Sequence, residues 1–391
     1  MIEKKVKLAV IGVGTMGSSH ARDIAASPFT HLVAVCDLIS DRAENISQTY
    51  GCVYFTDYQE MLETIELDGV IIATPHEAHT PISITCLQRG IHVLSEKPLA
   101  IHVLDGEKMR DAYQIALSAK PDLKFGIMFQ QRTYGYWKKI KEMIENGVLG
   151  KIMRITWVIT DWYRTQTYYD NGGWRATWRG EGGGVLLNQC PHNLDLFQWF
   201  VGMPQRVYGY AKLGKYHDIE VEDEVTAFFD YENGMIGQFI TSTAESPGTN
   251  RLELVAEMGK LVVEKEKITF WQNKSSSIHE IQISPNPFNL VEHEEKNLTF
   301  THHGTPGHRI MIENFANAIL NQEPLIAPAI EGLNQLQLSN AIMLSSFLQK
   351  PVDIPIDAML YKREIMKRVK NSKIKKSKIY STPFDASKSF R

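Results

Sequence analysis

The chain has 391 residues and a formal net charge of -3, long enough for two cores and so for two domains with a cleft between them. Near-neutral charge gives nucleic acid no basic footprint, and no apolar run reaches the ~18 residues that a membrane span needs, so neither is an expected partner. The charged start, residues 1–7, runs straight into a strand and leaves no room for a signal peptide. Cys36, Cys52, Cys86 and Cys190 are scattered without a C-x-x-C pair, which suits reduced thiols in a cytoplasm and argues against a zinc site or other metal centre.

Residues 6–11 read as a buried strand, followed at once by Gly12-Val13-Gly14-Thr15-Met16-Gly17 and a helix over 18–26. Strand, G-x-G-x-x-G and helix in that order make a dinucleotide-binding turn. Gly12 permits the tight bend, Gly14 lets a pyrophosphate approach the backbone, and Gly17 lets helix and strand pack closely. A second strand, 32–36, ends in Asp37, placed to accept hydrogen bonds from the adenosine ribose. Asp37 would repel a 2′-phosphate, and Leu38 and Ile39 add no cation, so NAD is expected over NADP, with Arg42 the nearby counter-argument.

The α/β alternation continues with a helix over 41–50, a short strand at 53–55, a helix over 58–65 and a strand over 68–73 that ends in Thr74-Pro75-His76-Glu77-Ala78-His79. Such strand ends face a cofactor, which nominates Thr74, Pro75 and His79. His76 and His79 lack a third metal ligand at useful spacing and read as the polar first turn of a helix. After a helix over 82–89 and a strand over 92–95 comes Glu96-Lys97-Pro98, with Glu96 and Lys97 at the cofactor rim. A partly desolvated lysine beside a positive nicotinamide has a lowered pKa and can accept a proton from a hydroxyl. A helix over 104–119 and a strand over 124–129 close this unit, giving a Rossmann domain over 1–130.

The second domain is expected over 131–360. It opens with a helix over 137–146 and a strand over 152–160. Between 161 and 179, aromatic residues alternate with arginines. Aromatic faces cover the C–H faces of a sugar ring while charged and amide groups bond its hydroxyls, so Tyr163, Trp174 and Arg175 are the expected substrate-lining residues. Gly182-Gly183-Gly184 then leads into a helical stretch on which Asn188, His192 and Asp195 fall on one face at i, i+4 and i+7. Pro191 predicts a break, with a second helical piece starting near it and aiming His192 into the cleft.

Strand-like runs recur at 206–213, 225–231, 235–243, 252–256 and 260–263, with Glu232-Asn233-Gly234 a hairpin turn. The polar segment 275–307 reads as loops and an edge strand, with His302, His303 and His308 at the surface or a subunit contact. Helices follow over 309–320 and 331–348, and from 361 to 391 the chain reads as a basic, solvated tail.

The glycine turn, Ala73-Thr74-Pro75 with His79, Glu96-Lys97-Pro98, and the glycine triplet leading to His192 and Asp195 together resemble the glucose-fructose oxidoreductase / inositol dehydrogenase / MocA family. The Asn188-to-Asp195 stretch looks most like its sugar dehydrogenases, such as levoglucosan dehydrogenase. The resemblance implies that Lys97 and His192 frame the reacting carbon, and that the second domain is an α+β unit whose large, mainly antiparallel sheet makes dimer or tetramer contacts. Many relatives carry an aspartate four residues before the histidine; this chain has Asn188, which can orient a hydroxyl but cannot take a proton, so proton transfer is expected on Lys97, assisted by His192. The expected activity is NAD-dependent oxidation of a secondary hydroxyl of a sugar, anhydrosugar or inositol-like polyol. The alternatives are a redox-neutral lyase or glycosidase that keeps its NAD, and a non-catalytic NAD-dependent sensor.

Overall fold

In the computed structural model, residues 5–171, 173–302 and 304–373 are described. The first part alternates strand and helix: β1 (Val6–Ile11), α1 (Thr15–Ala26), β2 (Thr30–Cys36), α2 (Ser40–Tyr50), β3 (Val53–Phe55), α3 (Tyr58–Thr64), β4 (Gly69–Ile72), α4 (His76–Gln88), β5 (His92–Ser95), α5 (Val103–Ala119) and β6 (Phe125–Ile127). The strands form one parallel sheet in the order β3-β2-β1-β4-β5-β6. Val, Ile and Leu fill both faces of its central strands because helices cover both sides. The order reverses between β1 and β4, so the loops after these strands diverge and open a crevice at their carboxyl ends. The helix expected from residue 82 begins at His76 instead and carries Pro81 within it.

The second part contains α6 (Gly135–Glu145), β7 (Ile152–Ile159), α7 (Gln166–Asp170), α8 (Val185–Asn188), α9 (Pro191–Val201), β8 (Arg206–Leu213), β9 (Glu222–Asp230), β10 (Ile236–Ser242), β11 (Asn250–Ala256), β12 (Gly259–Glu264), β13 (Lys267–Asn273), α10 (Ser277–Ile283), β14 (His293–Leu298), α11 (Gly307–Asn321), α12 (Gly332–Leu348), β15 (Val352–Asp353) and α13 (Ala358–Val369). Its nine-stranded sheet runs β14-β13-β12-β11-β7-β10-β9-β8-β15 and is antiparallel except where β7 meets β10. One face packs on helices, with Phe197 of α9 against Phe229 and Phe239. The other leaves Tyr208, Tyr210, Phe228 and Ile236 exposed.

Three segments differ from expectation. Strand β13 was not foreseen, although its Ile268 and Phe270 alternate inward. The polar stretch 275–307 holds α10 as well as the edge strand β14. The expected tail begins as a packed helix, since Tyr361 and Ile365 of α13 are buried at i and i+4 among its basic residues. Beyond it, the Ser372 hydroxyl donates to Glu220 (2.5 Å) and the Lys373 amide donates to the same carboxylate (2.7 Å). Lys375, Lys376 and Lys378 of the basic run lie outside the described residues, as does His303.

The two parts are tied together at Arg132, just after β6. Its guanidinium donates twice to Asp195 of α9 (Nε to Oδ2 2.8 Å, Nη2 to Oδ1 2.6 Å) and once to Glu331. Arg132 and Asp195 are each 1% exposed. Asp195, expected on the face of Asn188 and His192, is thus committed to this ion pair. Removing one partner leaves the other charge buried and uncompensated, which costs about 3–5 kcal/mol. Arg132→Ala should lower unfolding free energy by that amount in urea melts followed by circular dichroism; a loss under ~1 kcal/mol would refute this role.

Candidate active site

The glycine turn is shaped by contact. A methyl at Gly12 (φ +87°) would sit 2.7 Å from the Ala73 carbonyl oxygen, and one at Gly17 would sit 1.8 Å from the Gly12 oxygen, so neither position admits a side chain. Gly14 has nothing within 4 Å of where a methyl would be, and it caps α1 without a side-chain hydrogen bond. Gly14, Thr15 and Met16 line the cleft, so the N-terminus of α1 is open to a pyrophosphate. Asp37 accepts hydrogen bonds from Val13 N–H and Ile39 N–H (2.9 Å each). Two of the roughly four acceptor positions of a carboxylate remain for ribose hydroxyls. The turn and Asp37 thus fit a dinucleotide without rearrangement.

From there a single cleft of about 1500 Å³ runs between the two parts of the chain, lined by Gly12, Gly14, Thr15, Met16, Asp37, Thr74, Pro75, Glu96, Lys97, Trp174, Arg175, Asn188 and His192 among others. Three expected site residues sit elsewhere. Gly17 packs beneath the turn. His79 is fully buried behind the cleft, its ring nitrogens against the carbonyl oxygens of Pro98 (2.9 Å) and Thr74 (3.0 Å); it braces the two cofactor-facing loops from behind. Tyr163 is 48% exposed while its neighbour Trp162 turns inward, because successive side chains of an extended segment point to opposite sides. Tyr168 takes the lining position expected of Tyr163.

The catalytic wall is built on the glycine triplet. Gly182 has φ +82°, and a methyl at Gly184 would meet the Glu222 carbonyl oxygen at 2.1 Å. The buried Glu222 carboxylate accepts from Gly184 N–H (2.9 Å) and Leu186 N–H (3.1 Å), capping α8 from a different strand. Burial pushes this carboxyl up to about 7 despite these hydrogen bonds. At Pro191 the helix breaks as expected: Cys190 is the N-cap of α9 and Pro191 its first residue.

His192 follows and is 5% exposed; neither ring nitrogen has a protein hydrogen-bond partner. Burial, and then the nearby Lys97 charge, hold its pKa well below the usual histidine value, so the imidazole is neutral. Lys97 Nζ donates to the Asn188 backbone oxygen (3.0 Å). Burial lowers the Lys97 pKa, opposed by the Glu96 and Glu181 carboxylates. Glu96 accepts from the Lys97 amide (3.0 Å) and is 2.8 Å from a ring nitrogen of buried His20. Burial would raise the Glu96 carboxyl, but His20, His308 and Lys97 together outweigh it and hold the value at about 2. His308, expected at the surface, packs 5.7 Å from His20, and burial takes it down to about 4.

Glu181 escaped the reading of the sequence. It is 2% exposed and accepts from Ala176 N–H (2.6 Å) and from the Asn188 amide. A carboxylate thus stands beside the lysine even though the helix itself carries asparagine at 188. Burial raises the Glu181 pKa, opposed first by Arg175. The clue was its place against the glycine triplet, seven residues before Asn188. Tyr168 completes the wall, donating to Asn188 Oδ1 (3.3 Å) and accepting from Arg175 (3.0 Å). His76 also lines the cleft, and burial takes its pKa down to about 3.

Two family models match this chain: the oxidoreductase family NAD-binding Rossmann fold over residues 6–116, and the GFO/IDH/MocA C-terminal domain over residues 137–262. The chain belongs to the Gfo/Idh/MocA family. Among its relatives, scyllo-inositol 2-dehydrogenase (NAD(+)) of Bacillus subtilis is 24% identical over 372 residues, 91% of this chain and 98% of that one. The WlbA dehydrogenase of Bordetella pertussis, solved with NADH and UDP-GlcNAcA, is 26% identical with a TM-score of 0.76, covering 90% of this chain and all of that one. Levoglucosan dehydrogenase, solved with NADH and levoglucosan, shares the fold at 19% identity and a TM-score of 0.75, over 90% of this chain and 100% of that chain. As a member of the family the protein is an NAD-binding oxidoreductase. Arg42 lines the same cleft as Asp37, so removing the carboxylate should leave a cation for a 2′-phosphate without a repelling charge. Asp37→Ala should raise NADP affinity by ten-fold or more in fluorescence titrations while weakening NAD; unchanged NADP binding would remove Asp37 from cofactor choice.

Proposed function

We propose that this oxidoreductase converts a secondary ring hydroxyl of a cyclic polyol or sugar to a ketone, reversibly. The observation that carries the reading is the pairing in one cleft of Lys97 with a buried, neutral His192 whose ring nitrogens have no protein partner. Buried polar atoms without partners are costly, and a substrate hydroxyl between Lys97 and His192 would satisfy them. The name of the full-length Bacillus relative, a dehydrogenase of a cyclic polyol, supports the substrate class.

NAD bound along the cleft supplies the hydride acceptor. Lys97 Nζ, neutral once it has lost its proton, takes the proton of the reacting hydroxyl. His192 fixes that oxygen through a ring N–H and keeps its own protonation state, since burial disfavours the imidazolium. Asn188 keeps one amide hydrogen for a neighbouring hydroxyl, its other contacts being Glu181 and Tyr168. Trp174 and Arg175 cover the ring from the opposite side, the guanidinium lying over the Trp174 and Tyr168 faces (4.8 Å each). Self-association as a dimer or tetramer would use the exposed aromatic face formed by Tyr208, Tyr210 and Phe228.

Lys97→Met should lower kcat/KM by about 10²–10⁴-fold with NADH affinity held within a few-fold, measured as absorbance at 340 nm across inositols, aldoses and anhydrosugars. Wild-type turnover in that variant would exclude the lysine as base. The base works only when deprotonated, so kcat/KM should rise with pH through the lowered Lys97 pKa. The Glu181 carboxylate raises that pKa; Glu181→Gln should therefore move the rising limb to lower pH. A limb that stays in place would show that Glu181 does not act on the lysine.

A further inference from the structure

The cleft does not stop at the reacting centre. Past His192 it continues along Gln130, Asn193 and Trp162 to a region lined by Tyr136, Trp137, Asn250 and Glu266. The topology explains why these distant residues meet. Ile159, at the end of β7, pairs with Asn250, at the start of β11. Arg251 pairs with Glu264, so the β12–β13 turn that carries Glu266 lies at the same end of the sheet. The start of α6 brings Tyr136 and Trp137 to it, packed ring to ring at 4.5 Å, and Glu266 is near enough for its charge to act on the Tyr134 and Tyr136 hydroxyls.

The chemistry of this lobe is specific. Gln130 Oε1 and Trp162 Nε1 are buried hydrogen-bonding atoms without a partner, and both side chains are more than nine-tenths buried. One donor and one acceptor among aromatic rings suit a hydroxyl group, which both donates and accepts. Phosphate is disfavoured. Glu266 stands at the mouth, and the cation of the lobe, Arg164, lies over the Trp162 and Tyr168 rings and donates to the Tyr163 carbonyl oxygen. Lys265 and Lys267 flank Glu266 on an exposed turn without lining the lobe, and Arg251 is paired with Glu253 and Glu264.

We propose that this lobe is a second sugar-binding subsite, so that the substrate is a neutral disaccharide or glycoside with one ring at Lys97 and His192 and the next ring between Tyr136, Trp162 and Asn250. The proposal rests on the dehydrogenase reading for the orientation of the substrate, but the subsite can be tested by binding alone.

The test titrates NAD-loaded protein, by tryptophan fluorescence, with methyl glycosides of gluco, galacto and manno configuration, with disaccharides built on the same rings, and with UDP-glucose. One disaccharide should bind at least ten-fold more tightly than its methyl glycoside, equivalent to one or two added hydrogen bonds. Tyr136→Ala should bring that ratio close to one. Because Tyr136 also packs on Trp137, Glu266→Asn is the second variant: it lies on an exposed turn at φ +59°, which asparagine tolerates, and should reduce the ratio by several-fold. Equal affinity for the two sugar types, no binding of either, a ratio unmoved by both variants, or tighter binding of UDP-glucose would each overturn the subsite. A disaccharide that binds with the expected preference but is never oxidised would leave the subsite standing and sink the dehydrogenase reading instead.

Discussion

Arg132 fixes the relation between the two halves of this protein. It leaves the last strand of the nucleotide-binding sheet, and its guanidinium fork grips Asp195, three residues along α9 from His192. A planar fork on a carboxylate has little freedom to tilt. The histidine is thereby held relative to the sheet end that presents Lys97. The ion pair is buried and so stabilises little in itself, but it removes alternative arrangements. Glu222 does the corresponding task for α8, which at four residues is too short to persist by its own hydrogen bonding.

Around the reacting position the protein places ionisable groups in layers, most of them buried. His20 and Glu96 lie behind Lys97, Glu181 and Arg175 lie beside it, and neutral His192 lies across the cleft. The carboxylates offset part of the desolvation of the lysine, so its proton affinity is lowered without being lost. His79 and the glycine turn act on geometry alone: one joins Thr74 to Pro98, and the other brings the first loop into contact with Ala73.

Much of this was legible in the sequence because it lies in short, contiguous motifs. The glycine turn, Asp37, Glu96-Lys97 and the proline-broken helix each combine backbone constraint and chemistry within a few residues. Glu181, Glu222 and Arg132 act on partners 7 to 199 positions away, and no local periodicity marks such pairs. Tyr163 shows a different limit. In an aromatic-rich extended stretch the composition names the function, but which of two neighbouring rings faces inward depends on register with Thr243, whose carbonyl accepts from Arg164 N–H. Strand β13 and α13 carried the right alternation or spacing but stood among polar and basic residues that masked it.

The nucleotide-binding half is not closed by its own segment of chain. A methyl at Gly69 of β4 would come within 3.2 Å of Phe315 in α11, and Arg309 of the same helix donates to the Ala26 carbonyl oxygen. Ile127 of β6 donates its amide to Ala327, and Asn340 of α12 accepts from Val103 at the start of α5. The sheet therefore keeps an apolar flank and an unpaired edge until α11 and α12 are in place. Closing contacts over such separations is slow. The fold that binds the dinucleotide is thus completed by helices from the far part of the chain and not by its own segment.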